Sequence, residues 1–452
     1  MAKASGTIEN KAQLIATLEK GNKPVENWRI GTEHEKFAYD AKDYSRLSYD
    51  GSPGIKLLLE GLAKYDCWKP VFEGDNVIAL SDNTGASVSL EPGGQLELSG
   101  APLKTIHETC AEVNRHLTQA KEVCETIGAG MIGLGFDPLW KREDISWMPK
   151  GRYKIMRDYM PTRGTMGIDM MVRTSTVQVN LDFSSELDMI QKMRVSVALQ
   201  PLATALFASS PFKERKLNGF KSLRSHIWTD TDNDRCGMLP FVFDEGFGFE
   251  AWVDYLLDVP MYFIYRDGIY NNVAGKSFRD YMDGKLEGYE GKIPTIQDWE
   301  DHMTTAFPEV RLKQFIEMRG ADAGPWRNLC ALPAFWVGLL YDQSALNAAL
   351  DLISDWTIEE MSEMRDNVPK QGLETKFRNK TMLDLSREVM AISREGLKNR
   401  AQNNWSAESE THFLDPLDEI VSSGRTLADK WIQNFNGSWN GDISKLFKDY
   451  SY

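Results

Sequence analysis

Four stretches of this chain alternate in one way: aliphatic side chains on one side of a strand, carboxylates, amides and arginine on the other. In "WRIGTEHEKFAYD" (28–40), strand geometry sends successive side chains to opposite faces. Glu33, Glu35 and Phe37 therefore share one side, and Thr32, His34 and Lys36 the other. In "EPGGQLELSG", Glu91, Gln95 and Glu97 share a face away from Leu96 and Leu98. Further on, Thr176, Gln178, Asn180 and Asp182 oppose Val177, Val179, Leu181 and Phe183. In "FIEMRGAD", Glu317 and Arg319 oppose Met318. Like charge repeated along one face costs stability unless something positive lies between. A half-exposed antiparallel strand explains any one of these segments. The four together weaken that explanation, because Lys and Thr, usual on the wet side of a sheet, are scarce here. Clustered carboxylates call for a hard cation, and Mg²⁺ takes oxygen ligands while keeping waters for phosphate oxygens.

The rest of the pattern predicts helices over 7–20, from about Pro53, and over 102–127 and 185–208, the last with Pro201 as a kink. Residues 68–100 read as hairpins, "MIGLGF" as a buried strand and Met170–Phe183 as the cleanest strand. Later helices fit 249–257, 295–306, 334–353, 357–366 and 380–399. Strands come early and helices late, without βαβ alternation. That favours an α+β fold, one domain over 1–452 with a helix-rich part from about 330. Gly128, Gly130 and Gly133 spell G-x-G-x-x-G, but after a helix and before an apolar strand, the reverse of a dinucleotide turn. They read as a helix-to-strand turn. No P-loop sequence is present.

Charge and cysteine usage exclude other classes. The chain carries 52 Lys and Arg against 66 Asp and Glu, a net −14, which argues against binding a nucleic-acid backbone. The N-terminus lacks an apolar h-region and no window approaches eighteen apolar residues, so neither a secretory signal nor a membrane partner is expected. Five cysteines without C-x-x-C argue against a zinc site and a disulfide framework. The expected compartment is the cytoplasm.

Positive partners for the carboxylates stand in "MPKGRYKIMRDYMP", "LRSHIWTDTDNDR" and "FPEVRLKQFIEMRGAD". Arg152, Arg224, Arg311 and Arg319 can each offer a planar fork to carboxylate or phosphate, although a lone arginine is more often half of a surface ion pair. Carboxylates, a metal and arginines on one sheet face make a phosphoryl-transfer layout. His34 points away from its neighbours' face and reads as structural. His226, beside Arg224 and Trp228, is a candidate contact for nucleotide or substrate. No Ser-His-Asp triad is apparent.

These segments, together with "RTSTVQVNLDFSSE", "GMLPFVFDEGFGFE", "VPMYFIYR" and "LCALPAFWVGLLYD", resemble glutamate–cysteine ligases of the plant and proteobacterial type, in the same order from about Trp28 to Tyr452. The resemblance implies a glutamine-synthetase-like fold, a curved and mostly antiparallel sheet whose concave face holds Mg²⁺, ATP and glutamate. It implies ATP-dependent joining of the glutamate γ-carboxylate to the cysteine amine. Carried over by motif, Glu33, Glu35, Glu91, Glu97 and Glu317 resemble metal ligands, and Glu33, Glu35 and Arg319 the catalytic set. Arg224 resembles the residue on the glutamate α-carboxylate. Gln178, Asn180, Tyr262 and Arg152 resemble substrate contacts; Arg319, Arg311 and His226 fall to the nucleotide. Cys110 and Cys330 stand where plant relatives have cysteines that pair, whereas Val273 and Gly288 replace a second cysteine pair linked to redox control and dimerisation. That replacement suggests a bacterial cytosolic enzyme, a monomer or weak homodimer. Two alternatives remain: a carboxylate–amine ligase for a different amine, and a silent Mg²⁺–nucleotide sensor, which the intact carboxylate set disfavours.

Overall fold

The computed structural model describes residues 6–452. Nine strands form one sheet: β1 (Ile30–Asp40), β2 (Lys69–Glu73), β3 (Asn76–Ser81), β4 (Ser87–Leu90), β5 (Leu96–Ser99), β6 (Ala129–Ile132), β7 (Thr176–Leu181), β8 (Val310–Leu312) and β9 (Ile316–Asp322). Their order is β8-β9-β7-β1-β5-β4-β3-β2, with β6 also on β1. Every pairing within this sheet is antiparallel. β1 is the axis: its first half pairs with β7 and β5 and its last four residues with β6.

The principal helices are α1 (Ile106–Ile127), α2 (Glu186–Leu206), α3 (Ala331–Leu340), α4 (Gln343–Ile353), α5 (Ile358–Gln371) and α6 (Met382–Arg400). α1 packs on β1, α3 on β7 and α2 on β9. They cover the aliphatic side of the sheet, where Ile30, Leu96, Leu98, Val177, Val179, Leu181 and Met318 are buried. A one-residue slip of any of these strands would exchange its faces, so the apolar side fixes the register of the polar one. His34 and Lys36 lie on this covered side with His116 of α1. Lys36 Nζ donates to the His34 carbonyl (3.3 Å), and burial pulls its pKa down to about 7. The reading of His34 as structural stands.

Most expected elements form. Gly128 ends α1 with φ +78 as the helix turns into β6, the helix-to-strand turn expected in place of a dinucleotide loop. Two expectations fail. Met170–Phe183 is not one strand: Gly167–Arg173 is a helix, and the strand starts at Thr176. An ion pair one helical turn apart, Arg173 to Asp169 (2.8 Å), favours the helix. Residues 334–353 are not one helix: α3 and α4 meet at a bend of 86°. Asp342 stops the first and caps the second, accepting from Ala345 N at 2.9 Å.

Leu98 is 1% exposed on the aliphatic side, opposite His34 and Val88. Leu98→Ala should cost about 2–5 kcal/mol of stability, read as a lower urea midpoint, with turnover below the transition retained because the polar face is untouched.

Candidate active site

Strand register assembles the site. Glu35 of β1 lies directly opposite Glu97 of β5, and Glu33 lies between Ser99 and Gln178. Asn180 of β7 faces Glu317 of β9. Glu91 sits in the five-residue turn between β4 and β5, where its N–H donates to the Gln95 carbonyl (2.9 Å). The four segments singled out by alternation thus present one continuous polar face. Above it lies a cavity lined by Glu35, Glu91, Arg152, Gln178, Arg224 and Arg319, with Met170, Met171, Trp228, Phe263 and Phe307 as apolar walls.

The carboxylates divide into two classes. Burial, then the charges of Glu317 and Glu97, raise the Glu33 pKa to about 7. Burial and the charges of Glu91 and Glu97 push Glu35 well up, and burial and Glu91 raise Glu97. These three lack sufficient positive charge. Glu317 is the opposite case. Arg311 grips both its oxygens (Nε to Oε2 2.6 Å, Nη2 to Oε1 2.9 Å), and Arg319 Nη1 adds a third bond at 2.9 Å. With Lys313 nearby, its pKa falls far below the carboxylate range despite burial. Glu317 therefore departs from the metal-ligand expectation: its oxygens already hold guanidinium groups.

The arginines differ in what they leave free. Arg319 Nη1 also donates to Gln178 Oε1 (2.9 Å), and Arg224 Nη2 donates to the Arg319 carbonyl (3.0 Å). Among the described residues, Nη1 of Arg224 and Nε of Arg152 are buried without a hydrogen-bond partner. Arg311 has spent its forks on Glu317 and on the carbonyls of Thr304 and Ala306 (both 3.0 Å), so it braces the site and leaves no fork for a nucleotide.

Three further expectations are corrected. Asn180 does not line the cavity; its Nδ2 donates to Glu33 Oε1 (2.8 Å). Tyr262 is buried behind the wall, with Arg235 over its ring at 3.9 Å and Tyr159 against its edge. His226 stacks on Phe220 at 4.4 Å, outside the cavity lining. Gln95, on the expected face, turns to backbone and donates to the Thr174 carbonyl (2.8 Å). Sequence reading missed Lys150, which donates to the Leu90 carbonyl (2.8 Å) and whose pKa burial draws down to about 8. It also missed Tyr153, bonded to the same carbonyl. Both belong to the "MPKGRY" segment that supplied Arg152. Cys110 and Cys330 are both free thiols, and each perturbs the other: Cys330 draws the Cys110 pKa down and Cys110 pushes that of Cys330 up.

Residues 29–449 match the model of glutamate-cysteine ligase family 2. The chain belongs to that family. It is 55% identical over 442 residues to the chloroplastic glutamate–cysteine ligase of Nicotiana tabacum, covering 98% of this chain and 83% of that protein. Ligase B of Oryza sativa subsp. japonica, also chloroplastic, matches at 55% with 98% and 87% covered. A solved glutamate–cysteine ligase from Francisella tularensis, in complex with AMP, shares the fold at TM-score 0.53 and 14% identity, with 95% of this chain and 90% of that one aligned. The α+β fold built on an antiparallel sheet is as expected. The cytoplasmic expectation is overturned, because the relatives matched over nearly the whole chain are chloroplastic.

The raised carboxylates in this ligase-family site predict how stability depends on pH. A carboxyl group whose folded pKa exceeds its unfolded value binds its proton more tightly in the folded state. Its contribution is complete below the unfolded value near 4.5 and is lost as pH rises through the folded value near 7. In chelator, stability should fall from pH 5 to pH 8. Glu33→Gln should recover on the order of 2 kcal/mol at pH 8, a figure trimmed for the partial exposure of Glu33. Urea unfolding of both proteins at the two pH values checks this, and equal slopes with pH would refute it.

Proposed function

We infer that this protein joins the γ-carboxylate of L-glutamate to the amine of L-cysteine with ATP as co-substrate, giving γ-glutamylcysteine, the first step of glutathione synthesis. Family membership over residues 29–449 supports the activity. The observation that carries the local reading is a cavity that sets the under-neutralised Glu35, with Glu91 beside it, against guanidinium donors of Arg224 and Arg152 that have no partner among the described residues.

The chemistry needs both halves. A carboxylate does not react with an amine at neutral pH, because its carbonyl is a poor electrophile. Transfer of the ATP γ-phosphoryl to the glutamate side chain gives a γ-glutamyl phosphate. The cysteine amine, in its neutral form, attacks that carbonyl and phosphate leaves. Arg224, 3% exposed with Nη1 free, receives the glutamate α-carboxylate. Arg319, fixed by Gln178 and Glu317, faces the transferring phosphoryl group, where positioning and charge neutralisation do most of the work. Arg152, with Nε free, is a further substrate contact.

The donor set fits Mg²⁺. Glu33, Glu35, Glu91 and Glu97 offer only oxygen, and burial together with neighbouring carboxylates raises the pKa of Glu33, Glu35 and Glu97. Among the described residues no three His, Cys, Asp or Glu side chains converge tightly enough to hold an ion alone. That suits a cation which takes one or two carboxylates and completes its shell with water and substrate phosphate. Bound there, Mg²⁺ would neutralise phosphate charge.

Three outcomes are expected. ADP release should need glutamate, cysteine and ATP together, with γ-glutamylcysteine identified by mass against a panel of other amino acids. Preference for another amine would overturn the substrate assignment. Arg224→Lys should raise the glutamate KM by about one to two orders of magnitude, since an ammonium cannot supply the planar fork. A rise confined to ATP would move Arg224 to the nucleotide. Mild oxidation should join Cys110 to Cys330 and change activity modestly, without altering the size-exclusion profile. An oxidation effect that survives in Cys110→Ser would clear this pair.

A further inference from the structure

Arg224 and Arg319 lie beside Glu309, and Glu309 is paired with a residue of the C-terminal helices. The Arg319 N–H donates to the Glu309 carbonyl (3.1 Å). The Glu309 carboxylate, Arg224 and Arg319 line one small chamber adjoining the main cavity. The neighbouring residue is Gly320, where a Cβ would fall 2.8 Å from Glu309 Oε2, so the carboxylate lies close against β9. Its charge acts on Arg224 after those of Asp322 and Glu35, and Arg224 Nη1 has no partner among the described residues. A free carboxylate here would compete with a substrate carboxylate for that fork.

Arg365 of α5 prevents this. Its Nε donates to Glu309 Oε1 (2.9 Å), its Nη2 lies 2.6 Å from the same oxygen, and Nη2 also donates to the carbonyl of Ser225 (3.0 Å), next to Arg224. Arg365 and Glu309 are 9% and 8% exposed, and Arg365 does not line the cavity. We propose that Arg365 is a positioning residue: it occupies Glu309 and steadies, through the Ser225 carbonyl, the short helix that carries Arg224, keeping the Arg224 fork available to the amino-acid substrate.

The proposal rests on the assignment of Arg224 to glutamate, so Arg224→Lys is measured alongside. Arg365→Met should raise the glutamate KM about tenfold or more, because truncating one partner of a buried pair leaves the other charge uncompensated. The turnover number and the ATP KM should move less than about threefold, since Arg365 touches no reacting group. The double variant Arg365→Met/Glu309→Gln removes the stray charge as well, and its glutamate KM should return close to the parent's. An unchanged KM in Arg365→Met, or a double variant no better than the single, would overturn the proposal. If Arg365→Met does not fold by circular dichroism, the double variant decides: a parent-like glutamate KM supports the proposal and a tenfold rise refutes it. If Arg224→Lys leaves the glutamate KM unmoved, the assignment of Arg224 is what fails.

Discussion

Everything in this structure is arranged around buried like charge. Glu35 and Glu97 face one another across adjacent strands, with Glu33 two residues away on the same side. Cross-strand carboxylates in direct register repel, and their burial adds a desolvation cost. The fold tolerates them because the register is decided elsewhere. Ile30, Leu98, Val177, Val179 and Met318 are held under α1, α2 and α3. Slipping a strand by one residue to separate the carboxylates would turn that strand's aliphatic residues out of the core. The apolar side thus enforces a geometry that the polar side alone would reject, and the raised pKa values of Glu33, Glu35 and Glu97 record the tension.

The same sheet solves the problem differently at its other end. At β8 and β9, Arg311 stands opposite Glu317 and neutralises it inside the protein. Charge that is compensated internally is not available to a cation, so Glu317 serves to orient Arg319. The gradient runs from β5 and β1, where positive charge is lacking, to β9, where it is abundant. A nucleotide phosphate bridging the two regions would meet carboxylate oxygens at one and guanidinium at the other.

How much of this was legible depended on whether the information was local. The sheet was, because period-two alternation with one apolar face determines which residues share a side; Glu33, Glu35, Glu97, Gln178 and Glu317 follow from it. Secondary structure failed where an apolar run fits two periods. "MMVR" alternates well enough for a strand, and the Asp169–Arg173 pair that makes it helical spans the edge of the window. Asp342, a good N-cap in the middle of an apolar stretch, was a signal that went unused. Asn180, Tyr262 and His226 stand in or near segments with cavity residues but pack outside its lining, against Glu33, Arg235 and Phe220. Those partners lie 147, 27 and 6 positions away, and no periodicity links them.

Arg311 is the instructive exception, because its role could have been derived. "VRLKQFIE" closes a hairpin in which Lys313 N donates to the Phe315 carbonyl (2.9 Å). A turn centred on Gln314 pairs 311 with 317 in antiparallel register, and opposite charges at paired positions are the first partners to consider. An arginine with a carboxylate at its own mirror position is committed before any ligand arrives. Arg224 has no such partner on its short helix, Leu223–Ile227, and its neighbours there are Ser222 and Ser225, which serve as cap and capped N–H (3.1 Å). The arginine left with an open fork is therefore the one whose local sequence offers it nothing to pair with, and of the more distant carboxylates that act on it, Asp322, Glu35 and Glu309, the first is bonded to Ser209, Ser210 and Ser222 and the last is held by Arg365.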